Sequence, residues 1–194
     1  MTIEESGSLL HWNYFLALEA DLERLARFVE FTNENFGTYS IEIARLLQSA
    51  CSEVDVLAHK LCKHLDSGTR ARNIGPYRPL LRRGIPSLEV TVVQVPRYGL
   101  TLTPWTNWQS DRTPGWWSDH NKVKHRRSDY FPLANLENVL NASAGLLLLT
   151  VCFYRLTANV FSIEPAPSLL KPDELFAPIV IIAGGPALRV SAVP

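Results

Sequence analysis

Three cysteines in 194 residues are too few, and odd in number, to form a disulfide framework. Cys51, Cys62 and Cys152 all fall within apolar helical patterns, which points to buried, reduced thiols and a cytoplasmic setting. A basic leader is missing too, because Glu4 and Glu5 stand where a secretory signal carries positive charge. The longest apolar run, Ala144 to Tyr154, stops at Arg155 after about eleven residues, too short to cross a bilayer. No membrane partner is expected.

Glycine signatures are equally scarce. The chain has no Gly-x-Gly-x-x-Gly, no P-loop and no Gly-x-Ser-x-Gly, so nucleotide-binding α/β folds and α/β-hydrolase chemistry have no support. Gly184-Gly185 reads as a turn. His120 and His125 are five residues apart, about 140° around a helix, and His59 and His64 share that spacing, whereas zinc-binding pairs sit four apart. His59 and Cys62 have chelating spacing, but Cys62 falls on a core face with no further ligands nearby. Neither metal nor cofactor is expected.

There is no excess of charge of either sign, with 19 basic residues against 19 acidic, yet the distribution is uneven. Residues 1–66 carry 11 acids against 5 bases, and residues 67–130 carry 11 bases against 4 acids. A basic middle beside an acidic front suits an anionic partner or self-association between unlike surfaces; a solvated face with no partner is the bland alternative.

What is present is a mainly α pattern, an antiparallel helical bundle with a small β insertion and a C-terminal β tail. Leu9 to about Phe31 reads as a helix, with Phe15, Leu18, Leu22, Leu25 and Val29 on its core face and Glu19, Glu23 and Arg27 opposite. A second helix runs from about Tyr39 to Leu65, capped by Thr38 or Ser40. In the insertion, residues 67–113, a short helix at Tyr77–Arg83 precedes strands at Leu88–Val95 and Tyr98–Leu102. Pro96–Gly99 turns between them. Trp105 and Trp108 follow in a loop that tucks its indoles against the bundle. A long helix spans about Leu133 to Phe161, ended by Pro165 and Pro167. The division is a helical domain at 1–164 and a tail at 165–194. In that tail Leu175–Ala183 and Leu188–Val193 read as a hairpin that packs on the insertion.

The densest chemistry lies in Pro114–Ser128, where two tryptophans, two histidines, an asparagine and four cations fill about four helical turns. Thr113 suits the N-cap and Pro114 the first helical position. Trp116, His120, Val123 and Arg127 share one side, and Trp117, Asn121, Lys124, His125 and Ser128 line the next. One side can anchor in a core while the other offers an amide, an imidazole and positive charge to a phosphodiester or another anion.

This stretch just before the last long helix, with helices at 39–65 and 133–161, resembles the HEPN superfamily of small helical bundles. The longer string Trp-Trp-Ser-Asp-His-Asn-Lys-Val-Lys-His resembles a bacterial subgroup of it. The likeness covers about two-thirds of the chain and leaves residues 67–113 and 165–194 unexplained. Family ribonucleases carry an arginine, a polar residue and then a histidine at this place. Asn121 matches the polar residue, His125 matches the histidine, and His120 stands where the arginine would be. The resemblance implies metal-independent cleavage of RNA at a site built across a homodimer, as in a bacterial toxin or defence component with an antitoxin or other protein partner. His125 would be the acid or base, Asn121 would orient phosphate or imidazole, and Lys122, Lys124, Arg126 and Arg127 would supply charge. His120 could serve when protonated, or Arg126 could replace it. The alternative is a catalytically inactive module of the same fold that binds nucleic acid, nucleotide or a protein partner.

Overall fold

The computed structural model describes residues 9–160, 162–173 and 180–181. Six α-helices are found there: α1 (Leu10–Leu25), α2 (Ile41–Leu65), α3 (Ile74–Gly84), α4 (Gly115–His125), α5 (Arg127–Tyr130) and α6 (Leu136–Ala158). The protein is a helical bundle with a small antiparallel sheet. Helix α2 starts where the Ser40 side chain accepts from the Ile43 N–H, and α6 where Asn135 accepts from Asn138 N–H. These caps, and the left-handed Asn159 after α6, set the ends a few residues inside the expected limits.

The bundle is built around α2 and α6. Helix α6 is apolar on nearly every side, including Leu146, Leu147, Leu148 and Leu149, all fully buried. By length and composition it could cross a membrane, but 78% of its most apolar window is buried inside the protein. Helix α1 runs antiparallel to α2, as shown by Asp21 bonding Arg45, Tyr14 bonding Ser49 and His11 bonding Glu53. Helix α6 instead runs parallel to α2. Both begin at one end, where Leu136 N–H donates to the Thr38 carbonyl and Tyr39 bridges Asn135. The intervening 66–135 connection makes this possible, because α4 carries the chain back along α6 before α6 starts.

Two features of α1 differ from expectation. The helix ends at Leu25, where successive N–H groups of Arg27 and Phe28 bond three residues back and tighten the chain into a turn. Glu19 is not on the solvent side: it is 2% exposed. Its carboxylate accepts from the backbone N–H groups of Ser168, Leu169 and Leu170 and from the Ser168 hydroxyl. Trp12 Nε1 donates to the Pro165 carbonyl, so α1 grips the tail at two points.

The hairpin is shorter than expected. β1 (Val93–Val95) pairs with β2 (Leu100–Leu102) through a turn in which Gly99 has φ of 62°, a conformation glycine adopts without steric cost. Pro86 and the turns through Val90 keep Leu88–Val92 out of the strand. Tail residues do reach the insertion, but through β4 (Lys171–Pro172), which pairs with β1 upstream of the expected tail strand. β3 (Ser162–Ile163) pairs in parallel with β5 (Val180–Ile181), a fragment of the expected 175–183 strand. The remainder of that strand and the 184–193 hairpin lie outside the described residues.

Trp105 and Trp108 are fully buried, in the place expected of them. Cys51, Cys62 and Cys152 are free and buried, and burial alone pushes their thiols up, Cys62 to about 12. They are poor nucleophiles in this state.

Candidate functional site

On α4 the stripe Trp117, His120, Asn121, Lys124 repeats at three and four residues and faces α2. On α2 the residues Gln48, Ser52 and Asp55 have the same spacing on the side away from the core. With Arg72 and Asn73 from the start of α3 and Tyr14 from α1, they enclose a groove of about 640 Å³. Its size is in the range of small-molecule and cofactor sites.

Helix α4 is held by its other side. Trp116 and Val123 are buried, and the Trp116 indole N–H donates to the Pro104 carbonyl at 2.7 Å. Asp119 accepts from Asn138 of α6 and from Lys122, which ties the helix to α6. Thr113 is not the cap. Pro114 takes the cap position, and its carbonyl receives the first helical N–H groups, from Trp117 and Ser118.

The groove divides the sequence-derived candidates. His120, Asn121 and Lys124 line it together. His125 is exposed at the last residue of α4, about 100° around the helix from Lys124, and does not line the groove. Lys122 is paired with Asp119, and Arg126 stacks over Tyr130 and donates to its hydroxyl. Arg127 is not on the Trp116–His120–Val123 side. The helix breaks at Arg126 (φ −144°, ψ 61°), so Arg127 begins α5 and lines a separate hollow with Ile41 and Phe131.

His120 is 6% exposed, packs on the Trp117 ring, and has one ring nitrogen, Nδ1, buried without a hydrogen-bond partner. Burial, and after it the charges of Lys124 and His125, lowers its pKa to about 4. At neutral pH it is an uncharged imidazole, so it does not replace a guanidinium. A stability effect follows. Between pH 6.5 and about 4 the unfolded chain takes up a proton that the native imidazole refuses, so stability present above 6.5 is lost as pH falls through this window. Because the groove is open, the loss is on the order of 2 kcal/mol. Urea midpoints taken from pH 7 to pH 4.5 should fall more steeply for the native protein than for His120→Gln. Equal slopes would mean that His120 titrates normally.

Arg72, Gln48, Ser52 and Tyr14 were not among the candidates read from the sequence; Asp55, which reads there as a surface charge with its reach to the site left open, lines the groove. The signal for the α2 residues was their spacing of four and three on the polar side. Arg72 lay in the run of arginines after Ser67-Gly68. Arg72, Gln48, Ser52, Asn121 and Lys124 make no side-chain hydrogen bond or ion pair among the described residues. No group of three or more His, Cys, Asp or Glu stands close enough to hold a metal there. Comparison with known protein families, with curated proteins and with solved structures finds no match.

Proposed function

We propose that this chain is a HEPN-like, cytoplasmic RNA-acting protein that takes a single-stranded segment into the α2–α4 groove and cuts it without a metal. The observation that carries this is the meeting of Arg72, Lys124 and Asn121, all without internal partners, with an uncharged imidazole in one concave site. Cations supply phosphate affinity, and amides and imidazole supply directional hydrogen bonds. In this reading His125, on the exposed end of α4, serves as acid or base from the rim, exchanging the proton of a ribose 2′-OH or a leaving 5′-oxygen. Asn121 orients the phosphate. A homodimer brings a second set of cations to the groove, and a toxin or defence role with a protein antitoxin accords with the family likeness alone.

The position of His125 outside the groove and the uncharged state of His120 favour a second reading, a module that binds RNA without cleaving it. One assay separates the two. Purified protein in chelator should convert single-stranded RNA to fragments with 2′,3′-cyclic phosphate ends, and His125→Ala should lower the rate at least 100-fold, in the range typical of a lost acid–base group. Unchanged RNA with salt-sensitive binding would establish the second reading. Absence of binding at low salt would overturn both.

A further inference from the structure

We propose that the groove selects a guanine base, Asp55 receiving its paired N–H groups while Lys124 and Arg72 hold the adjoining phosphate. This rests on the reading that the groove takes RNA, and adds the identity of the base.

Asp55 is out of keeping with the cations around it. A groove that met phosphate alone would be weakened by a carboxylate among its cations, yet Asp55 lines the same groove as Lys124 and Arg72 and forms no ion pair with either. Its neighbour on the protein side is the buried Tyr77 phenol. That phenol hydrogen-bonds Asp55, and its ionisation is disfavoured by burial first, then by the Asp55 charge and by this bond. A carboxylate accepts about four hydrogen bonds, so acceptor capacity remains for the groove. A ligand that satisfies the whole lining therefore carries both an anion and neighbouring donors.

Among RNA bases only guanine offers two adjacent donors on its pairing edge, N1–H and the N2 amino group, which a carboxylate can receive side by side. Adenine and cytosine each set an acceptor next to their amino group, and uracil flanks its one N–H with two carbonyls. Each would place a lone pair against the charge of Asp55. The rest of the α2 stripe fits the same base. The Gln48 amide and the Ser52 hydroxyl have no internal partners and can donate to guanine O6 and N7. Neutral His120, more than nine-tenths buried with Nδ1 unpartnered, adds a polar contact that does not compete with the cations for phosphate. The half-exposed Tyr14 ring at the lip can cover the base.

The test is equilibrium binding of labelled six-residue oligoadenylate RNAs carrying at one central position guanosine, inosine or adenosine. Inosine keeps N1–H and lacks the N2 amino group. Guanosine should bind at least tenfold tighter than adenosine, with inosine between them. Asp55→Asn should reduce the guanosine preference to less than twofold while leaving adenosine affinity similar or tighter. Lys124→Ala should weaken all three alike. Equal binding of the three RNAs by the native protein, with Lys124→Ala still weakening them, would overturn the guanine proposal and leave RNA binding standing. No binding of any of them at low salt would overturn the RNA reading and this inference with it. The inosine comparison needs no variant, so a misfolded Asp55→Asn protein would not blunt the test.

Discussion

Trp116→Ala is expected to destabilise the protein by about 4 kcal/mol, within the usual range for removing a buried indole. Trp116 is 4% exposed and meets Trp105 edge-on at 5.2 Å and Trp117 at 5.8 Å; Trp105 in turn packs on Trp108 at 4.5 Å. This indole cluster lies against Gly145 of α6, where even a methyl group would stand 3.2 Å from the Trp116 ring. The alanine variant would open a large void, orphan the buried Pro104 carbonyl that now accepts at 2.7 Å, and remove the anchor of the helix that carries His120, Asn121 and Lys124. Denaturant midpoints together with near-ultraviolet circular dichroism of the tryptophans measure this. Trp116→Phe, which fills most of the space but cannot donate, should lose roughly half as much. A cost below about 1 kcal/mol for alanine would show that the cluster is not a principal support of α4.

The next largest effect is expected at Glu19. Alanine there leaves three backbone N–H groups without their acceptor, at roughly 1–3 kcal/mol for each that stays buried. Release of the 168–170 segment to water limits the total, so we expect a loss on the order of 3 kcal/mol and a freed tail. Glu19→Gln, with one carbonyl oxygen in place of two, should fall between. Hydrogen exchange of the Ser168, Leu169 and Leu170 amides is the direct readout. In the native protein they should rank with the protected core, and in Glu19→Ala they should exchange like a free segment. Unchanged protection would mean that the Trp12–Pro165 bond and β4 pairing hold the tail without Glu19.

Helices α2 and α6 were legible in the sequence because their apolar periodicity is long, and Ser40 marked the start of α2, whereas the Asn135 cap, just past the expected start of α6 at Leu133, was not read. The hairpin was legible from Pro96 to Gly99, and the buried indoles from their place in an apolar bundle. Glu19 was misplaced for a physical reason. Periodicity sets the angle of a side chain around its own helix but cannot show that a segment 149 residues away will cover that angle with unpaired N–H groups. The same limit applies to the tail strand, whose partner was chosen by three-dimensional proximity. At the site, the side of α4 bearing Asn121 and Lys124 followed from spacing, whereas the break at Arg126 did not. No proline or glycine marks it, and it moved Arg127 out of line with His120. The sequence also could not assign a protonation state to His120, because burial decides it.

The parallel course of α2 and α6 bears on how the chain reaches this state. Its stabilising pairings join residues far apart in sequence, such as the His11 amide with the Tyr154 hydroxyl 143 residues on, so closing them costs loop entropy that a simple up-and-down bundle avoids. The α1–α2 pair can assemble early from near neighbours, while α6 must wait until the 66–135 connection has doubled back. The groove joins α1 and α2 to residues of that connection, and its α4 wall is anchored on α6 by the bond from Asn138 to Asp119. Its walls therefore exist only once the slowest contacts have formed, and a partly folded chain would carry the basic stretch without a cavity in which to use it.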